Sequence, residues 1–501
     1  MAVLHDCVEL IPAHYGERVD LAQLPQEEKV YRILQRADTV GMFQIESRAQ
    51  MASLPRNCPT RFYDLVVQVA IIRPGPIVGQ MMHPYMRRRQ GREQITYPHP
   101  SLEPVLKRTL GVPLFQEQLL RMAMTVANFS GAEAEELRRA VGMRRSMQRM
   151  KNLEGRLRDG MTSNGIGPEA QDNIVQGISS FAMYGFPESH AASFALIAYA
   201  SAYLKVHYLA AFTCGLLNNQ PMGFYSPAVL IKDAQRHGLR VSPICVQRSE
   251  WLCTLEEEAD NSLSLRIGLS YVKGLRKSSV DALLAARNCH AAFATVDAMA
   301  MQVPELNRKE LVALARAGAL NSIENVDHRR DALWQVEQAG RPVGPLLRGV
   351  ADAHTQTPRS TPLRQMTDEE RLTADYAGTG ITTGPHPMAY ERESLRRQGI
   401  LSAQELELGG SNRPVRIAGR VIARQRPGTA KGFVFLSLED ETGIANVILT
   451  PDIFEENRLI VTRSRFLTIE GKLQNQEGVI HVKAERIALL RLWPRDFVRG
   501  D

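Results

Sequence analysis

Nowhere in the 501 residues do two aspartates stand one residue apart, and no Gly-x-x-x-x-Gly-Lys-Ser/Thr, Gly-x-Gly-x-x-Gly, His-Glu-x-x-His or Gly-x-Ser-x-Gly pattern occurs. Two-metal phosphoryl transfer needs several carboxylates holding cations about 3.5–4 Å apart, so only acids distant in sequence and convergent in space would supply such a site. The six cysteines, Cys7, Cys58, Cys214, Cys245, Cys253 and Cys289, form no Cys-x-x-Cys pair and have no histidine at zinc-finger spacing. That excludes a disulfide framework and a structural zinc site, and it fits a reducing cytoplasm. The N-terminal stretch carries acids and a histidine where a signal peptide has a basic start and an apolar run. The most apolar segment, Ala191 to Leu217, is interrupted by Ser193, Ser201, Lys205 and His207. A membrane helix needs roughly 20 unbroken apolar residues, so this one reads as a buried helix. No repeat of solenoid length is present.

What is there suits a multidomain protein. The length predicts about two to four domains, and a 44% hydrophobic fraction is enough to bury several cores. A net charge of +7 is modest for the length, so an anionic partner depends on clustering on one face. From Leu24 to Asn219 the pattern is helical. QEEKVYRILQRAD and RFYDLVVQVAII are apolar-periodic, and SGAEAEELRRAVGMRR opens on Ser130 as N-cap with acids first and arginines last. Ser189 is expected to cap the next long helix. Short strand-like runs occupy 223–265, two helix-turn-helix units follow to Asn321, and 340–370 reads as a linker. Five alternating runs between 413 and 490, punctuated by Pro427-Gly428, Glu441-Thr442-Gly443 and Glu477-Gly478, predict a small closed barrel of the OB type. The fold expected is therefore mainly α, ending in a small all-β barrel. Its segments run 1–240, 241–323, 324–412 and 413–490, with a tail at 491–501.

Four groups of residues bear on chemistry. Arg73 precedes the rigid Pro74-Gly75-Pro76 turn, Arg87, Arg88, Arg89 and Arg92 follow, and Arg138, Arg139, Arg144 and Arg145 come later. Guanidinium forks suit bidentate phosphate contacts, although a single arginine run is most often a solvated helix face. Ser189-His190 at a helix start fits an anion site, and equally a capping serine beside a partly buried histidine. IGLSYVKGLRKSSVDALLAAR (267–287) has the helix-hairpin-helix pattern. Its hairpin amides with Lys273, Gly274, Arg276 and Lys277 would hold a DNA phosphate without reading sequence. NRKELVALARAGALNSI (307–323) is a second, weaker unit. In the barrel, Arg420, Arg424, Arg426 and Lys431 lie near Phe433 and Phe435, a basic and aromatic mixture suited to single strands. Alternation puts both phenylalanines on one face, with one expected in the core.

Taken in order, DTVGMFQIESRAQM, IIRPGPI, MRRRQGREQITYPHPSLEPVL, GVPLFQEQLLRMA, LRRAVG and YGFPESHAASFALIAYASAYLKVHY resemble the alpha subunit of bacterial DNA polymerase III, over essentially the whole chain. Within that family the chain resembles the error-prone lineage of damage-induced mutagenesis. It has Pro187-Glu188 where replicative relatives carry Asn-Lys, and it shares LLNNQPMGFYSPAVLIKDAQRHGL and DYAGTGITTGPHPM with that branch.

The resemblance implies a DNA-directed DNA polymerase. Residues to about 240 would be its fingers, the hairpin region would hold duplex product, and the barrel would approach single-stranded template. By motif match, Arg73, Arg138, Arg139, Ser189 and His190 would face the nucleotide and template, while Lys273, Gly274, Arg276, Lys277, Arg424, Lys431 and Phe433 would contact DNA. Glu188 would lower the positive charge beside the nascent pair and loosen selection. The family's palm aspartates precede the stretch that matches residue 1, so Met1 reads as an internal methionine or the start of a split product. On that reading no catalytic or metal-binding residue lies in this chain, Mg2+ is expected only with the palm, and the chain alone is inactive. The implied partners are DNA, dNTPs, mutagenesis-cassette proteins and, through them, the sliding clamp. The alternatives are a non-catalytic DNA-binding module and part of a replicative alpha subunit.

Overall fold

A computed structural model describes residues 1–72, 78–142, 147–182, 186–290, 292–339, 361–428, 430–476 and 478–491. Two compact units emerge, one built chiefly of residues 19–207, the other of 1–18 and 208 onward. This is coarser than the five segments expected from sequence, and it breaks at 207/208 because the first helix belongs with the later chain. Ala2–Tyr15 packs along Leu209–Asn218. Gly215 makes that approach possible, since a Cβ there would lie 3.1 Å from the Val3 carbonyl oxygen.

The unit around 19–207 is all helical. Phe62–Ile71 packs against Glu188–His207, whose buried face is largely alanine (Ala191, Ala195, Ala198, Ala202), so the two backbones come close. Lys205, on that helix and buried, reaches the Asp38 carboxylate at 3.0 Å and the Val40 carbonyl at 3.3 Å. A second core lies among Gln116–Ala127, Gly131–Gly142, Met147–Ser163 and Pro168–Ala182. Ser130 caps Gly131–Gly142 as expected, exchanging hydrogen bonds with Glu133. Ser189 does not cap its helix. The helix begins one residue earlier, at Glu188, whose N–H donates to the Glu117 carboxylate at 2.9 Å, and Ser189 sits inside the first turn. A carboxylate from a distant helix has taken the capping role, and the local pattern does not show it.

In the other unit, β1 (Arg240–Ser242), β2 (Thr254–Glu257) and β3 (Leu263–Arg266) form a sheet of order β1-β3-β2. Helices Lys277–His290, Val296–Gln302, Arg308–Ala317, Arg329–Ala339, Asp368–Gly378 and Pro387–Arg397 follow. Of the expected linker, 340–360 lies outside the described residues, and its last residues, from Asp368, open a helix. The five alternating runs become β4 (Pro414–Gln425), β5 (Val434–Glu439), β6 (Ile444–Leu449), β7 (Phe466–Gln476) and β8 (Val479–Leu489), closed in the order β4-β5-β6-β8-β7. Val434, Leu436 and Leu438 point inward, so Phe433 and Phe435 share the outer side, and neither belongs to the barrel core. The sequence expectation of one core phenylalanine is corrected: the pleat gives the interior to the aliphatic residues between them.

The barrel is fastened to its own unit by a buried ionic cluster. Glu439, fully buried on β5, accepts both Arg236 terminal nitrogens at 3.1 Å, and the His386 Nε2 lies 3.6 Å from its second oxygen. His386 Nδ1 accepts the Met388 N–H and caps Pro387–Arg397. Beside them Lys232 is also buried and donates to the Gly384 carbonyl. Burial pushes its ammonium down to about 8, against the opposing pull of Glu439 and Asp375. Among the described residues no helix is long and apolar enough to cross a membrane.

Candidate nucleic-acid interface

At the start of Glu188–His207 the structure builds a specific arrangement. Ser189 and His190 are exposed. The His190 ring lies between Phe186 at 4.9 Å and Phe194 at 4.2 Å, and Phe194 meets the part-exposed Phe43 edge-on at 5.3 Å. Glu188 turns the other way. Its carboxylate accepts the Tyr63 hydroxyl at 3.0 Å and pairs with Arg108 at 3.5 Å, while the Arg108 guanidinium sits 3.8 Å over the Tyr63 ring. Burial, and then the Glu188 charge, push the Tyr63 phenol well above its ordinary range. Replacing Glu188 with lysine sets an ammonium against Arg108 and removes the acceptor for Tyr63. The expected cost is about 1–3 kcal/mol in chemical denaturation, and an unchanged midpoint would show that the cluster contributes nothing.

Arg138 and Arg139 share one acid. Glu135 accepts Arg138 at 2.7 and 2.8 Å and Arg139 at 3.0 Å, and these hydrogen bonds hold its carboxyl down to about 2. Glu135, and more weakly Glu117, raise the Arg138 guanidinium. Glu117 is also the acceptor of the Glu188 N–H. Arg73, with Arg144 and Arg145, lies outside the described residues.

In the other unit, the hairpin before Lys277–His290 turns at Gly274, whose φ of +84° suits glycine. Lys273 donates to the Tyr376 and Ala377 carbonyls at 3.3 and 3.1 Å, at the end of Asp368–Gly378. Arg276 grips the buried Glu310 with Nε at 3.0 Å and Nη2 at 2.9 Å. Lys277 is exposed, with no side-chain partner among the described residues.

On the barrel, Arg424 folds its guanidinium back onto the Val461 carbonyl at 2.7 Å and onto that of Ser464. Arg420 bonds the Tyr376 hydroxyl at 3.2 Å, and Arg426 pairs with Glu455 at 3.2 Å beside the Phe454 ring. Lys431 is exposed at a tight turn with φ +47°. Gln425, Phe435, Ile448 and Lys483 form a cross-strand row over β4, β5, β6 and β8. The expected residues therefore fall into three places, and most of their arginines already hold partners.

The residues that sequence reasoning missed are Tyr63, Arg108, Glu117 and Glu310. Glu117 stood inside a quoted motif, but nothing in its spacing announced a partner 71 residues away.

Comparison with known proteins gives three matches along the chain. The sequence profile of the bacterial DNA polymerase III alpha subunit finger domain matches residues 1–165, that of a helix-hairpin-helix motif matches 238–332, and that of an OB-fold nucleic acid binding domain matches 415–490. The chain is 45% identical over 487 residues to error-prone DNA polymerase 2 of Agrobacterium fabrum, covering 96% of this chain and 44% of that protein. It is 44% identical to the error-prone DNA polymerase of Alkalilimnicola ehrlichii, covering 97% and 47%. With that of an Anaeromyxobacter species it shares 46% identity, covering 96% and 42%. The chain thus spans less than half the length of these curated relatives. Finger-domain, hairpin and OB-fold profiles in this order, with such identity along nearly the whole chain, mean that it belongs to the bacterial DNA polymerase III alpha-subunit family, in the branch whose members are named error-prone DNA polymerases.

Proposed function

We propose that this chain is the nucleotide-positioning and DNA-gripping part of an error-prone DNA-directed DNA polymerase, and that by itself it synthesises no DNA. The observation that supports this most is what its buried acids do. Four of the buried acids are held by arginines, Asp64 by Arg89 at 2.7 Å, Glu310 by Arg276, Glu439 by Arg236 and Asp440 by Arg392 at 3.1 Å, and the part-buried Glu256 is held by Arg266 at 2.6 Å. Within either unit taken alone, no three acid, histidine or cysteine groups among the described residues bring ligand atoms within 4.8 Å of one another. These residues do not fit the paired magnesium ions of phosphoryl transfer.

What remains is binding. Ser189 and His190 would meet the incoming nucleotide, with the Arg138–Glu135–Arg139 group supplying charge to a triphosphate. The hairpin region and the barrel would hold duplex and single strand. In the complete polymerase, dNTPs and Mg2+ are the co-reactants, and mutagenesis-cassette proteins and the sliding clamp are the proposed partners.

Primer extension with Mg2+ and dNTPs is expected to give no product, while a fluorescent single-stranded oligonucleotide binds with affinity that falls as salt rises. Each phosphate contact contributes about −0.7 to the log–log slope for single strands. Robust extension overturns the inactivity, and an affinity flat across salt overturns the phosphate-binding role.

A further inference from the structure

The hairpin at 272–276 carries the feature that a phosphate-binding hairpin should lack: its anion position is filled from within. Glu310, the third residue of Arg308–Ala317, is 1% exposed. One of its oxygens accepts the Arg276 backbone N–H and the Arg276 Nε, both at 3.0 Å. The other accepts Arg276 Nη2 at 2.9 Å, the Ser279 hydroxyl at 3.2 Å and the Asn307 N–H at 3.1 Å. A carboxylate has about four lone-pair positions, so this one is saturated. The donors it uses are those that would otherwise meet a phosphate at the start of Lys277–His290: a backbone N–H, a hydroxyl in the first turn and a guanidinium. Three neighbouring donors are engaged as well. The Lys273 N–H bonds the Gly378 carbonyl at 2.9 Å, the Leu275 N–H bonds that of Val272 at 3.3 Å, and the Lys273 ammonium holds the end of Asp368–Gly378.

We infer that Glu310 is the resident anion of this hairpin, closing it to DNA phosphate, and that Arg276 is a positioning residue fastening the first helical hairpin to the second. The inference rests on the proposed DNA-binding function only in its DNA arm. A phosphate backbone passing this region meets Lys277, whose ammonium is uncommitted, rather than Arg276.

Two measurements test it. Glu310→Ala empties the cradle and leaves its donors in place. Its melting midpoint should rise by about 2 °C or more in inorganic phosphate relative to chloride at equal ionic strength, with no comparable rise for the unaltered chain. If Glu310→Ala does not fold, Glu310→Ser, which also vacates the carboxylate position, undergoes the same comparison. In the second measurement, Arg276→Gln should leave the salt slope of duplex binding unchanged, whereas loss of a phosphate contact lowers it by about 0.9. No phosphate response in the folded Glu310 variant, or a slope reduced by that amount in Arg276→Gln, overturns the inference. A chain that binds no DNA at all defeats the proposed function, and the phosphate comparison still decides this inference.

Discussion

Glu439→Leu is expected to destabilise the barrel-bearing unit by about 3–5 kcal/mol, the range found when one partner of a buried ion pair is removed. Glu439 is 0% exposed, yet its carboxyl lies below the ordinary range. Burial alone would raise it, but the His386 ring, Arg236 and Arg420 outweigh that effect. Without the carboxylate, the Arg236 guanidinium stays in a pocket where its side chain is only 18% exposed, and among the described residues the one other acid paired with it is Asp233, at 3.9 Å. The double variant Glu439→Leu with Arg236→Met should recover most of the loss, because two well-packed apolar residues often equal a buried pair. Denaturant titration of the three proteins reads both effects. A single-variant loss below about 1 kcal/mol, or a double variant no better than the single, would mean that the cluster does not fasten the barrel.

That cluster also marks the limit of what the sequence discloses. The barrel was legible because its signal is local: VFLSLE alternates with period two, and each strand is bounded by its own turn residues. The long helices were legible for the same reason. Glu439 and Arg236, by contrast, are 203 residues apart, and Tyr63 and Glu188 are 125 apart. No periodicity links such pairs, and only the fold brings them together. The site residues show a similar division. Runs of arginine and a Ser-His pair at a helix start were visible as types of residue. Whether a given arginine is free or committed was not, and Arg424, read as a groove residue, turns back onto two carbonyls of its own barrel. Glu188 shows both sides at once. Its departure from the replicative pattern stood out in the sequence, while its role as the acceptor of Tyr63 and the partner of Arg108 became visible only in the fold.

The second large effect is acid loss of the Glu310 contribution. Burial would raise this carboxyl, but the Arg276 side chain and N–H, the Asn307 N–H and the Ser279 hydroxyl together hold it at about 2, against 4.5 unperturbed. A group whose folded pKa is depressed stabilises the fold fully above its unfolded pKa, and that stabilisation disappears as pH falls through the folded value. The window is therefore about 4.5 down to 2. The full shift would correspond to about 3 kcal/mol. Because the Arg276 side chain is 58% exposed and its half of the pair is screened by solvent, about 2 kcal/mol is the better expectation. The clean measurement is the stability difference between the unaltered chain and Glu310→Gln as a function of pH, because the other carboxylates titrate in both proteins and cancel. The difference should be constant above pH 5 or so and shrink steadily below it as the carboxylate takes up its proton. A difference independent of pH would show that the hydrogen bonds to Glu310 do not depend on its charge, and would leave the hairpin without an ionic fastening.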